Sequence, residues 1–152
     1  MRQSSAFTPA KRMSILNKLP IFSRFFQREL ELISEHAHFL VAEPGDIIIE
    51  QGAEDTCFYV LLTGRASVRL RHKRQAVAEV LPGQMFGEMG FALSTARTSW
   101  VVASEQSIMV RVDQALMKQL DCNVREKLKD QVIIKLATTI QNINSPQKDV
   151  EQ

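Results

Sequence analysis

Glycine and proline turns cut the middle of this chain into short pieces. Pro44-Gly45, Gly52, Gly64 and Pro82-Gly83 recur between residues 39 and 112. Between them the apolar period is two, starting at Phe39 and continuing through 47–50, 57–62, 66–71, 76–81, 99–103 and 108–112. Short strands at this spacing have few ways to bury an apolar face, and a small antiparallel barrel or jelly roll is the usual one. On either side the period is helical. Ile15, Leu16 and Leu19 are followed by Phe22, Phe25, Phe26, Leu30 and Ile33, with Pro20 dividing the run into two helices. Asp113 can cap a short helix through Leu120, and Asn123 a longer one through about Ile143. The expected fold class is therefore α+β: a β-roll flanked by N-terminal helices and a C-terminal helical pair. Residues 1–12 are polar and basic and are expected to be disordered. Residues 13–143 are expected to form one domain, helical over 13–38, β over 39–112 and helical over 113–143, with 144–152 as a polar tail.

Composition narrows the function classes. With 152 residues, 45% hydrophobic and 24% charged, the chain can build an ordinary globular core. A formal net charge of +2 gives no electrostatic case for nucleic-acid binding. No apolar run is long enough for a membrane span, and the N-terminus has no apolar segment of the secretory kind. Cys57 and Cys122 lack metal-ligand spacing and read as reduced thiols of a cytoplasmic protein. His36 and His38 have no third ligand nearby, so no metal is expected. Arg69, Arg71, His72, Lys73 and Arg74 read as a solvated strand edge and turn. No Ser/His/Asp or Cys/His arrangement points to catalysis, so no catalytic residue is expected.

The chemistry concentrates in residues 86–103, FGEMGFALSTARTSWVVA. Gly87 and Glu88 open a short helix-like run. Arg97, Thr98 and Ser99 follow a polar loop, and an apolar strand comes next. Arginine can grip an anionic phosphate with two parallel hydrogen bonds. Free N–H groups at a helix start add donors, Gly87 and Gly90 allow close backbone approach, and Glu88 can accept from a sugar hydroxyl. Together these suit a phosphorylated sugar.

Phe86, Gly87, Glu88, Met89, Gly90, Arg97, Thr98, Val101 and Ala103 resemble the phosphate-binding cassette of the cyclic-nucleotide-binding domain family, and the upstream glycine turns extend the similarity over about residues 15 to 140. The resemblance implies that a cyclic phosphate lies across the start of the 87–93 turn. Arg97 would be its charge partner, with Thr98 and Ser99 adding donors, Glu88 taking the ribose 2′-OH, and Met89 and Gly90 completing the wall. It further implies that the long C-terminal helix covers the base, with Thr138 and Thr139 as candidates for touching it. Ordinary helix-surface threonines are an equal alternative for that pair. The ligand is expected to be cAMP, with cGMP as the alternative, since a Thr98 hydroxyl could also reach a guanine amino group. Two positions depart from the family pattern. Ala96 stands where the family often has Pro, and Ser99 where it often has Ala; neither removes a charge-bearing group.

The last helix has apolar residues on two sides. Leu128, Val132 and Leu136 make one stripe; Ile133, Leu136, Ile140 and Ile143 make a heptad-like seam. One side would cover the barrel and the other meet a partner. With only a short tail after this helix, no DNA-reading, kinase or channel segment is expected. The leading reading is a stand-alone cyclic-nucleotide receptor that regulates a partner through movement of the C-terminal helix, by homodimerisation or through a separate effector protein. The alternatives are a scaffold domain that keeps the fold with little nucleotide affinity and, third, a phosphodiesterase-like enzyme.

Overall fold

The computed structural model describes residues 1–4, 7–71 and 75–145. In chain order the elements are β1 (Arg2–Gln3), α1 (Pro9–Lys18), a 3₁₀ turn (Pro20–Phe22), α2 (Gln27–His36), β2 (His38–Ala42), β3 (Ile47–Ile49), β4 (Phe58–Thr63), β5 (Ala66–Arg69), β6 (Ala78–Val80), β7 (Met85–Phe86), α3 (Glu88–Leu93), β8 (Trp100–Ala103), β9 (Ser107–Val112), α4 (Gln114–Gln119) and α5 (Cys122–Asn144). The strands form two antiparallel sheets, ordered β1-β2-β9-β4-β7 and β3-β8-β5-β6. This is the α+β jelly roll that the turn spacing implies.

Two apolar clusters fill it. One joins Leu16, Phe22, Leu30 and Ile33 of the N-terminal helices to Phe58, Val60 and Val110 of the sheet and to Leu116, Val124 and Leu128 of α4 and α5. The other lies between the sheets, with Leu40, Ile49, Tyr59, Leu61, Phe86, Val101 and Met109. Strand β4 serves both. Phe58, Val60 and Leu62 face the helices, while Tyr59 and Leu61 face the other sheet. Burial on both faces is why residues 58–62 are an unbroken apolar run, a departure from the period of two expected for this strand. Each of these large side chains contributes about 1.5–3 kcal/mol on leaving water.

Several expectations are corrected. Residues 1–12 are not disordered throughout. Arg2 and Gln3 pair with Val41 and Leu40, and α1 begins at Pro9. Thr8 caps that helix, its Oγ1 accepting from Lys11 N at 3.3 Å, with proline in the first turn where a missing N–H costs nothing. This start signal was masked by the basic composition around it. At the other end Asp121, not Asn123, caps α5: its carboxylate accepts from Val124 N at 3.1 Å. Asn123 lies inside the first turn. Asp113 caps α4, accepting from Leu116 N at 2.8 Å. The short strand β7 was not anticipated; two residues carry too little pattern to read. Residues 72–74 of the basic hairpin and most of the polar tail, 146–152, lie outside the described residues.

Candidate ligand-binding site

The site is built where β3 pairs with β8. Ile49 faces Val101 across that antiparallel pair, so the loop leaving β3 lies beside the loop entering β8. Two backbone bonds lock the loops together: Arg97 N donates to Ala53 O and Gly52 N to Arg97 O, each at 2.8 Å. Helix α3 closes the third side. Gly87 caps it with φ +78°, a left-handed conformation that glycine adopts without steric cost. Phe91 anchors the helix edge-on against Phe58, ring centroids 4.9 Å apart.

Arg97 is folded into this wall, and only 5% of it is exposed. Its Nε donates to Asp55 Oδ1 at 3.0 Å and its Nη2 to Asp55 Oδ2 at 2.8 Å. Nη2 also donates to the Cys57 carbonyl, and Nη1 to the Gly87 carbonyl at 2.6 Å. These bonds use four of the five guanidinium N–H groups, leaving one on Nη1. The two-pronged grip expected on a phosphate is thus made on a carboxylate. The Arg97 hydrogen bonds hold the Asp55 carboxyl below the usual carboxylate range, against the opposing effect of burial. For Arg97, burial disfavours the charge, but the bond to Asp55 outweighs it and the pKa rises. The neighbouring Cys57 thiol is pushed up by burial and donates to Asp55 Oδ2 at 3.3 Å.

The glycines of α3 serve this arginine. A methyl group at Gly90 would lie 2.8 Å from the Arg97 Cζ, and one at Gly87 would lie 3.1 Å from Nη1 and 2.9 Å from Ile49 Cδ1. The close approach they permit is that of the guanidinium to the helix backbone.

Between α3, the 95–99 loop and the second sheet lies a cavity of about 230 Å³. Seven of the residues singled out from the sequence border it: Gly87, Glu88, Met89, Gly90, Arg97, Thr98 and Ser99. Ile49, Val68, Val80 and Val101 make an apolar wall. Thr139 does not border it. Its hydroxyl donates to the Lys135 carbonyl at 2.9 Å, within its own helix, and Thr138 is exposed. Lys135, one turn earlier on the same face of α5, borders the cavity instead. A turn advances about 5.4 Å, which carries Thr139 past the cavity edge.

Sequence reasoning missed Asp55 and Lys135. Asp55 is 42 residues from Arg97 and sits in an unremarkable polar turn; only the β3–β8 pairing brings it to the site. Lys135 is one of several lysines on α5, and its position follows from how that helix lies against α3.

A family model described as "Cyclic nucleotide-binding domain" matches residues 39–121, more than half of the chain. The chain belongs to the cyclic nucleotide-binding domain family. It is a binding family rather than a catalytic one. The chain is 25% identical over 118 residues to a cAMP-dependent protein kinase regulatory subunit of Schizosaccharomyces pombe, covering 78% of this chain and 28% of the relative. It is 22% identical over 128 residues to a cGMP-dependent protein kinase of Eimeria tenella, covering 84% and 13%. The chain therefore spans under a third of the length of either relative. Among solved structures, a cyclic nucleotide-binding domain from Methylobacillus flagellatus superposes with a TM-score of 0.74 at 20% identity, covering 88% of this chain and 79% of that one. Among the described residues, no helix is long and apolar enough to cross a membrane.

Proposed function

We propose that this domain is a cyclic-nucleotide receptor module that takes cAMP in the cavity beside α3 and transmits binding through α5. The observation that carries this reading is Arg97 itself. A buried guanidinium, oriented by Asp55 and overlying Gly90, borders a cavity rather than filling a core. The cyclic phosphate would meet the remaining Nη1 hydrogen and the N–H groups at the start of α3, with Thr98 and Ser99 beside it. Glu88 would accept from the ribose 2′-OH. Charge-assisted hydrogen bonds contribute about 1.5–3 kcal/mol each. Three, with base burial, account for the roughly 8 kcal/mol of a micromolar complex.

The wall of Ile49, Val68, Val80 and Val101 offers an apolar face to a purine ring, adenine or guanine alike. The names of the relatives do not choose between the nucleotides, since one is called cAMP-dependent and the other cGMP-dependent. For output, Ile133, Ile140 and Ile143 are 61%, 59% and 76% exposed on α5 and offer an apolar contact to a second copy or to an effector protein. Binding would shift the population of α5 positions, by no more than the ligand's difference in affinity between them.

A second reading, a scaffold domain with little nucleotide affinity, is favoured by the same arginine: most of its donors are already satisfied within the protein. Thermal melting with cAMP, cGMP and 5′-AMP separates the two. At a hundredfold excess over Kd, cAMP should raise the melting temperature by about 5–10 °C. The same concentration of 5′-AMP should leave it in place. No response to any cyclic nucleotide would establish the scaffold.

A further inference from the structure

Charge accounting around the cavity singles out one residue of α5. The ionisable side chains that border it are Glu79, Glu88, Arg97 and Lys135. Asp55 neutralises Arg97 through a paired contact on both carboxylate oxygens. What is left is two carboxylates and one ammonium. Lys135 halves the negative charge that a phosphate diester would meet there, from two to one, and is the cation at the cavity that Asp55 does not offset. Among the described residues, the Lys135 ammonium has no carboxylate partner. It is half-buried, and it belongs to the helix whose position the ligand is proposed to govern.

We infer that Lys135 is the counter-charge for the ligand's phosphate, and that this contact draws α5 toward α3 when the site fills. The inference rests on the proposed receptor function and deepens it. Arg97 then organises the wall, while the mobile cation comes from the helix. A lysine suits that role, because its compact ammonium on a flexible stem can follow an anion that a fixed guanidinium cannot. The charge contact is also distinct from touching the base, the role considered for Thr138 and Thr139.

The test compares the wild type with Lys135→Met and Lys135→Arg, titrating each with cAMP and with uncharged adenosine. Methionine keeps the stem and the helix propensity, so folding should be intact. Lys135→Met should weaken cAMP binding by about tenfold, within the range of one charged hydrogen bond, and leave adenosine within about twofold. The dependence of cAMP affinity on salt should flatten in the same variant, and Lys135→Arg should recover most of the loss. This salt comparison decides the matter where adenosine is too weak to titrate. Unchanged cAMP affinity, an unchanged salt slope, or an equal loss for adenosine and cAMP would overturn the assignment while leaving the receptor function standing. A wild-type domain that binds no cyclic nucleotide would overturn both.

Discussion

Removing the Arg97 side chain would leave Asp55 unpaired and take the guanidinium out of the cavity wall. Isothermal titration of Arg97→Ala should show cAMP affinity lowered by tenfold or more; unchanged affinity would remove the arginine from the site. Asp55→Asn tests the other partner. The buried guanidinium would then lack its counter-charge, at a cost of about 1–3 kcal/mol, the lower end being apt because Asp55 remains 43% exposed. Since the folded-state pKa of Asp55 is depressed, its contribution is complete above the unfolded value of about 4 and is lost as pH falls through the folded value. Urea melts should therefore show a wild-type advantage over Asp55→Asn that is constant near neutrality and shrinks below about pH 4. Gly90→Ala places a methyl group against the guanidinium and should both destabilise the fold, by about 1–3 kcal/mol, and weaken nucleotide binding. At this scale the sequence was informative about identity and less so about role. Arg97 and Gly90 were recognisable from their spacing within one loop. Their relation to Asp55 was hidden, because a contact across 42 residues leaves no local pattern.

Among the elements, α5 depends on a contact with α2. Glu29 is 2% exposed, accepts from Phe26 N at 2.8 Å and forms an ion pair with Lys127. The same ammonium lies 4.0 Å from the centre of the Phe26 ring. One carboxylate thus finishes the start of α2 and fastens the first half of α5. Glu29→Gln keeps a side-chain oxygen to accept from Phe26 N and removes the ion pair. Hydrogen exchange should then quicken in the first half of α5, with α1 and the sheets protected as before; uniform protection throughout would show that the ion pair does not hold the helix. Element positions were largely readable. Pro20 does end a helical run, and Asp113 does cap α4. What escaped were features with few residues to speak for them, namely β7 and the Thr8-Pro9 start of α1. Nothing in the local sequence marks Glu29, because burial of a carboxylate depends on a partner 98 positions away.

The molecule as a whole has two cores, and the one between the sheets supplies most of the cavity's apolar lining, Ile49, Val80, Phe86 and Val101, with Met85 coming from the other. Leu128, Val132 and Leu136 turn toward the helical core, while Ile133, Ile140 and Ile143 of the same helix stay in water. If that stripe carries the signal, Ile140→Asp should leave the melting temperature and cAMP affinity unchanged. It should abolish any nucleotide-dependent change in sedimentation; a change that persists would place the readout elsewhere. The turn spacing made the barrel legible because closure of short strands has few solutions. The division into two cores was not legible, since an uninterrupted apolar strand does not say which neighbour each side chain will meet. Strand β4 is the shared partition, with odd and even positions committed to different compartments. Deleting a single residue near its middle would exchange the occupants of both at once, sending phenylalanine where tyrosine belongs. A change of loop length away from the site would leave the partition standing, whereas a single-step slip of that one strand would not.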